Sequence, residues 1–209
     1  MRHPLGLGKP AKEIWSEIWH ELNPQVVAVM RDGLASWNKE VLLFMERKGF
    51  SEECYFTWSY SPIFDDAGKI GGLFCACTED TKAVISRRRL LTLRDLGERT
   101  LEEAKSIEEA CRVACETLTG NPFDIPFALI YLLEPDEKRA YLCEGTGAGF
   151  DSETAPENVE IGTNQDIWKF ERILDIGRGE KFSDVENRFG RLSAGAWKDD
   201  WTREAFILP

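Results

Sequence analysis

Apolar positions along the chain recur with two periods, and the switches between them mark out its elements. Ile14, Trp15, Ile18, Trp19 and Leu22 recur at helical spacing and predict a short helix over Ala11–Leu22. Pro24 opens a second helix, Gln25–Arg31, carrying Val26, Val27, Val29 and Met30, with Gly33 as its stop. Trp37–Arg47, with Val41, Leu42, Leu43, Phe44 and Met45, reads as a strand, and Lys48-Gly49-Phe50-Ser51 as a loop. Two more strands follow. Tyr55–Phe64 alternates, with Phe56, Trp58 and Tyr60 on one face. Ile70–Cys77 is almost continuously apolar, with Leu73, Cys75 and Cys77 on one side and Ile70, Phe74 and Ala76 on the other. Between them Asp65-Asp66-Ala67-Gly68 supplies turn chemistry, two short acids and a glycine that accepts positive φ. A strand apolar on both sides is covered on both faces. The pattern therefore predicts a sheet with helices on one face and a different cover, such as a partner chain, on the other.

The helical period returns over Thr81–Lys105, with Val84, Ile85, Leu90, Leu91, Leu93, Leu96, Leu101 and Ala104. As a heptad it is imperfect and interrupted by Gly97, and Arg87, Arg88 and Arg89 read as a solvated face. Ser106–Thr119 is the better amphipath. Ser106 and Glu109 form a capping box, and Ile107, Ala110, Cys111, Ala114, Cys115 and Leu118 fall on one stripe. Gly120-Asn121-Pro122 ends it. Ile125–Leu133 reads as a buried strand, turned at Asp136-Glu137-Lys138 into Arg139–Gly145. A loop over Gly145–Gly162, a helix over Asp166–Gly177, a short strand over Glu180–Val185, a loop over Arg188–Trp201 and a strand beginning in Thr202–Leu208 complete an α+β pattern.

Charge and chemistry narrow the classes. The net charge of −11, from 26 basic and 37 acidic residues, argues against a nucleic-acid surface. With no run of about 18 apolar residues and no signal-peptide pattern in Met1–Pro10, no membrane span and a cytoplasmic location are expected, with the six cysteines reduced. Cys75-x-Cys77, Cys111-x-x-x-Cys115, Cys54 and Cys143 contain no C-x-x-C pair and read as buried apolar thiols. Gly6-x-Gly8-Lys9 is only a weak echo of a phosphate loop. The two histidines, His3 and His20, form no nucleophile–base or metal constellation, and no enzyme chemistry is expected. His20-Glu21-Leu22-Asn23-Pro24 falls one residue short of a histidine-kinase phosphoacceptor box and reads as a surface histidine at a helix end. Glu52-Glu53 and Asp199-Asp200 read as solvated acids.

The motif S-x-S-P-I-F-D-D-A-G-K-I-G-G-L-F-C-x-x-T-E-D-T resembles the closing hairpin of a PAS sensory domain, Thr78-Glu79-Asp80-Thr81 standing in place of its Asp-Ile-Thr exit. The two tryptophans and Glu17 of Leu7–Trp19 resemble the helix beside the pocket wall in the same group. Asn121–Leu133, and Arg188-Phe189-Gly190 with Leu192 and Gly195-x-Trp197, are similar to GAF domains of bacterial two-component sensor histidine kinases. The resemblance implies a PAS-like part over 1–81 lacking its first strands, a signalling linker helix over 82–105, and a GAF-like part over 106–209 lacking its last strands and closing helix. In that family the final PAS strand lies beside the first, so Ile70–Cys77 is expected to carry an open edge. The resemblance implies a signal-relay module without a kinase core, forming a homodimer through Leu90, Leu93 and Leu101 and serving a kinase or response regulator. An unidentified small ligand would meet Phe56, Trp58 and Tyr60, or Phe127, Leu129, Tyr131 and Trp168. The flavin-reactive cysteine, haem histidine and bilin Cys-His signatures are missing from the sequence, so the cofactor is unknown. A free-standing ligand-binding adaptor and a truncated gene product are the alternatives.

Overall fold

The computed structural model describes residues 4, 6–47, 49–147, 153–197 and 201–209. The protein is α+β and forms two compact units, Met1–Arg87 and Arg88–Pro209.

In the first unit α1 (Ala11–Ile14) and a 3-10 turn (Ser16–Ile18) lead into α2 (Trp19–Asp32). The expected break at Pro24 is not there: the proline lies in the second turn of α2, and the chain bends instead at Trp15 (φ −116°, ψ 34°). That bend lets Ile18, Leu22 and Val29 all enter the core. Burying each contributes roughly 1.5–3 kcal/mol, which outweighs the roughly 3 kcal/mol an interior proline costs. Gly33 closes α2 in the left-handed conformation, its N–H reaching the Val29 carbonyl.

β1 (Ser36–Arg47), β2 (Phe50–Phe64) and β3 (Ile70–Glu79) follow as an antiparallel meander in the order β1-β2-β3. Phe50 and Ser51, expected in a loop, belong to β2 and pair with β1; Lys48 lies outside the described residues. At the next turn the Asp65 carboxylate accepts from the amides of Ala67 and Lys69, and Gly68 takes φ 74°. Leu43, Met45, Cys54, Trp58 and Tyr60 bury one face of the sheet against Ile18, Leu22 and Val29. Trp37, Ile63 and Phe74 point to the other face and are exposed. A bulge at Gly71 shifts the register between Ile63 and Phe64, which returns Ile70 to the helix-bearing face near Gly33. Cys75 and Cys77, expected to be buried, are exposed, because β3 is an edge strand that α2 covers only near its start.

α3 (Thr81–Glu103) contains the division between the units. In the second unit α4 (Ile107–Thr119) is capped by Ser106, whose hydroxyl accepts from the Glu109 amide. Glu109 answers by accepting the Lys105 amide, one residue before the cap. α4 buries Cys111 and Cys115 on the expected stripe, but Val113 and Thr117 on its other side are buried too, and Ile107 is exposed. The strand expected from Ile125 begins only at Ala128. Asn121 holds the preceding turn by accepting the Ile125 amide at its carbonyl, and Pro126 has no N–H to pair. β4 (Ala128–Leu133), β5 (Arg139–Thr146) and β6 (Asn158–Glu160) make an antiparallel sheet, β6 lying within the expected loop and burying Val159 completely.

The helix expected over Asp166–Gly177 is reduced to α5 (Phe170–Ile176), because Lys169 sits at φ 62° and breaks the helical path. β7 (Glu180–Phe182), α6 (Val185–Phe189), β8 (Leu192–Ser193), β9 (Trp201–Thr202) and β10 (Ala205–Ile207) complete the unit. β7 pairs with β10 and β8 with β9; the expected strand at Glu180–Val185 is cut short at Phe182, and that at Thr202–Leu208 is divided between β9 and β10. Among the described residues no helix is long and apolar enough to cross a membrane.

Candidate functional site

The hairpin aromatics Phe56, Trp58 and Tyr60 do stand on one face of β2. They are packing residues more than pocket wall. Trp58 and Tyr60 are buried edge to face, their ring centroids 6.5 Å apart, and Phe56 lies half-buried under the Arg47 guanidinium at 5.7 Å. Burial pushes the Tyr60 phenol up to about 12. The Trp58 indole N–H is buried with no hydrogen-bond partner among the described residues.

The exit from β3 is the most tightly built polar feature of the first unit. Asp80 donates its amide to the Tyr55 carbonyl at 2.8 Å, and Tyr55 returns its own amide to the Thr81 hydroxyl at 3.0 Å. Thr81 in turn donates to Glu79, and Glu79 receives both arms of Arg47 at 3.0 and 3.2 Å. The Arg47 bonds hold the Glu79 carboxyl below its usual range. The first residue of α3 therefore completes the hydrogen-bond ladder of β2.

Beyond that seat α3 buries no side chain. Leu90, Leu93 and Leu101 are 66%, 65% and 86% exposed. Ala83, Ser86, Leu90, Leu93, Gly97, Thr100 and Ala104 recur at alternating steps of three and four, a two-leucine seam flanked by small residues. Leu101 falls just beside it.

In the second unit the four expected pocket residues take different places. Trp168 is buried at the centre of an aromatic cluster, with Phe127, Phe182 and Phe189 at centroid distances of 6.3, 5.5 and 4.5 Å, and its indole donates to the Thr154 carbonyl. Tyr131 instead packs on Phe170 at 5.0 Å and donates to the Pro156 carbonyl; burial raises its phenol to about 12. Leu129 abuts Gly145, where an added Cβ would stand 3.1 Å from its Cδ2. A cleft of about 270 Å³ opens beside Trp168, lined also by Arg172, Ile173, Lys181, Phe182 and Ile207. Of the expected four, only Trp168 lines it. Arg172 is held there by Glu180 and Lys181 is 2.7 Å from Glu204.

Three polar features escape a local reading of the sequence. Asp166 is buried and accepts the amides of Phe170 at 2.7 Å and Glu171 at 2.9 Å, satisfying the open end of α5. Its position four residues before the helix was the available signal. Arg88 is not on a solvated face: it and the 64% exposed Arg89 both bind Asp124, and Arg88 also stacks over Phe123 at 5.2 Å. Against the cost of its burial, these bonds and one from Asn121 lower the Asp124 carboxyl to about 2. Glu53 is not a solvated acid either; it is buried and accepts from the Tyr55 hydroxyl at 2.7 Å.

His20 is exposed near the start of α2, 3.6 Å from Glu21. His3, Asp199 and Asp200 lie outside the described residues. Among the described residues no cluster of three or more His, Cys, Asp or Glu side chains has metal-binding geometry. No protein-family model matches the chain, and no curated protein matches it.

Proposed function

We propose that the chain is a sensory and signal-relay module of the two-component sensor histidine kinase type, with a PAS-like part, a linker helix and a GAF-like part. The observation that carries this reading is α3, seated in the sheet ladder through Thr81 while its Leu90–Leu93 seam stays open. A change in the packing of the first sheet would be felt at that seat and passed on as a rotation or register shift between two paired helices. The reading makes the chain a cytoplasmic homodimer that hands its signal to a kinase or response regulator. It assigns the chain no catalytic step of its own. The ligand that sets the signal is unidentified.

Sedimentation velocity tests the helix pairing. Leu93→Asp places a charge in the seam, and a carboxylate without a partner there weakens association by more than about tenfold. The chain should shift from dimer towards monomer. A dimer dissociation constant unchanged by Leu93→Asp would rule out pairing through α3.

A further inference from the structure

The two edges of the first sheet are built differently. The β1 edge is guarded: a bulge interrupts it between Asn38 and Val41, Lys39 and Glu40 occupy the bulge, and Glu40 takes φ 49°. The β3 edge has none of these devices after the Gly71 bulge. From Ile70 to Thr78 it contains no charge and no proline, and no strand among the described residues pairs with it. Phe74, Cys75, Ala76 and Cys77 are all exposed.

Backbone parity decides what this edge offers. Asp80 donates its amide inward to Tyr55, so by antiparallel alternation the even-numbered residues of β3 bond to β2. The odd-numbered residues Leu73, Cys75, Cys77 and Glu79 then direct their N–H and C=O groups outward. A second antiparallel strand can dock only by matching outward residues.

We infer that the β3 edge pairs with the same edge of a second copy of this chain, antiparallel about a two-fold axis at Cys75. In this register Leu73 faces Cys77 of the copy, and Phe74 faces Ala76, large against small. Glu79 faces Gly71, so no like charges meet and the Arg47–Glu79 pair is left intact. The patch is self-complementary, as a closed two-fold interface requires. The inference rests on the homodimer of the proposed function but uses a surface separate from the α3 seam.

The register has a chemical signature. Cα atoms of a hydrogen-bonded antiparallel pair stand about 5.5 Å apart, inside the roughly 4.4–6.8 Å that a disulfide spans. The two Cys75 thiols can therefore be joined across the axis, diamide taking up both hydrogens as the S–S bond forms. The full chain is treated briefly with diamide and run on a non-reducing gel. A linked dimer is expected in the wild type and in Cys77→Ser, and is expected to be lost in Cys75→Ser. Cys77→Pro removes an outward N–H without touching a bond to β2, and should abolish the link although Cys75 remains. Leu93→Asp, which removes helix pairing, should keep it. Absence of a Cys75-dependent dimer in the Leu93→Asp chain overturns the edge pairing, while sedimentation of Leu93→Asp in the Cys77→Pro background, where the edge cannot pair, judges the helix independently. A link that survives Cys77→Pro, or that depends on Cys77 rather than Cys75, also overturns it.

Discussion

The two three-stranded sheets use similar strands to different ends. The sheet β4–β6 is closed on both faces. Cys111 and Cys115 of α4 are buried on one side, and on the face that carries the buried Ala140 and Val159 Tyr131 packs on Phe170 of α5. The sheet β1–β3 has an apolar cover on one face only; its other face buries Glu53 but leaves Trp37 and Phe74 67% and 57% exposed. A sheet closed twice loses heavily when either cover is cut. A sheet closed once keeps apolar surface that folding of its own unit does not use, which is surface available for association.

The sharpest test of this contrast is Trp168→Ala. It empties the centre of the aromatic cluster and removes the indole bond to the Thr154 carbonyl, and should destabilise the second unit by about 3–5 kcal/mol. Pulse proteolysis across a urea series, with the fragments weighed, reads each unit separately; the first unit's midpoint should not move. A smaller effect comes from acid. Asp124 is depressed to about 2 in the folded protein, so its stabilisation is complete above the ordinary carboxylate value and lost as pH falls through about 2. That loss is about 2 kcal/mol and should fall on the second unit; Asp124→Asn should flatten the pH dependence between pH 4 and 2. The smallest effect is expected on the open face. Trp37→Ser should change the first unit's stability by no more than about 0.5 kcal/mol. A larger loss would mean that this face is structurally committed, and would erase the contrast.

What the sequence made legible follows from range. The alternation of Phe56, Trp58 and Tyr60, the Asp65–Gly68 turn and the Ser106 cap are local patterns, and each stands where the pattern put it. The Gly71 bulge was hidden because two adjacent glycines give no side-chain signal for which one is extra. Pro24 misled because its cost is local, whereas the gain from Ile18, Leu22 and Val29 depends on a sheet further along the chain. The arginine triplet read as solvated because Asp124 lies 36 residues beyond Arg88. Of the pocket residues, Phe127 and Trp168 meet, but Tyr131 turns to Phe170, and the cleft is completed by β7 and β10, whose pairing no spacing announced.

The seat of α3 also provides a reporter. Tyr55 gives its amide proton to a helix hydroxyl, where a neighbouring strand would ordinarily offer a carbonyl. While α3 stays docked, that proton is shielded from water; when the first turn lifts, it is released to exchange even if the sheet around it remains closed. One backbone position in the middle of a strand thus keeps time for the helix, and its deuterium uptake counts how often the first turn of α3 undocks.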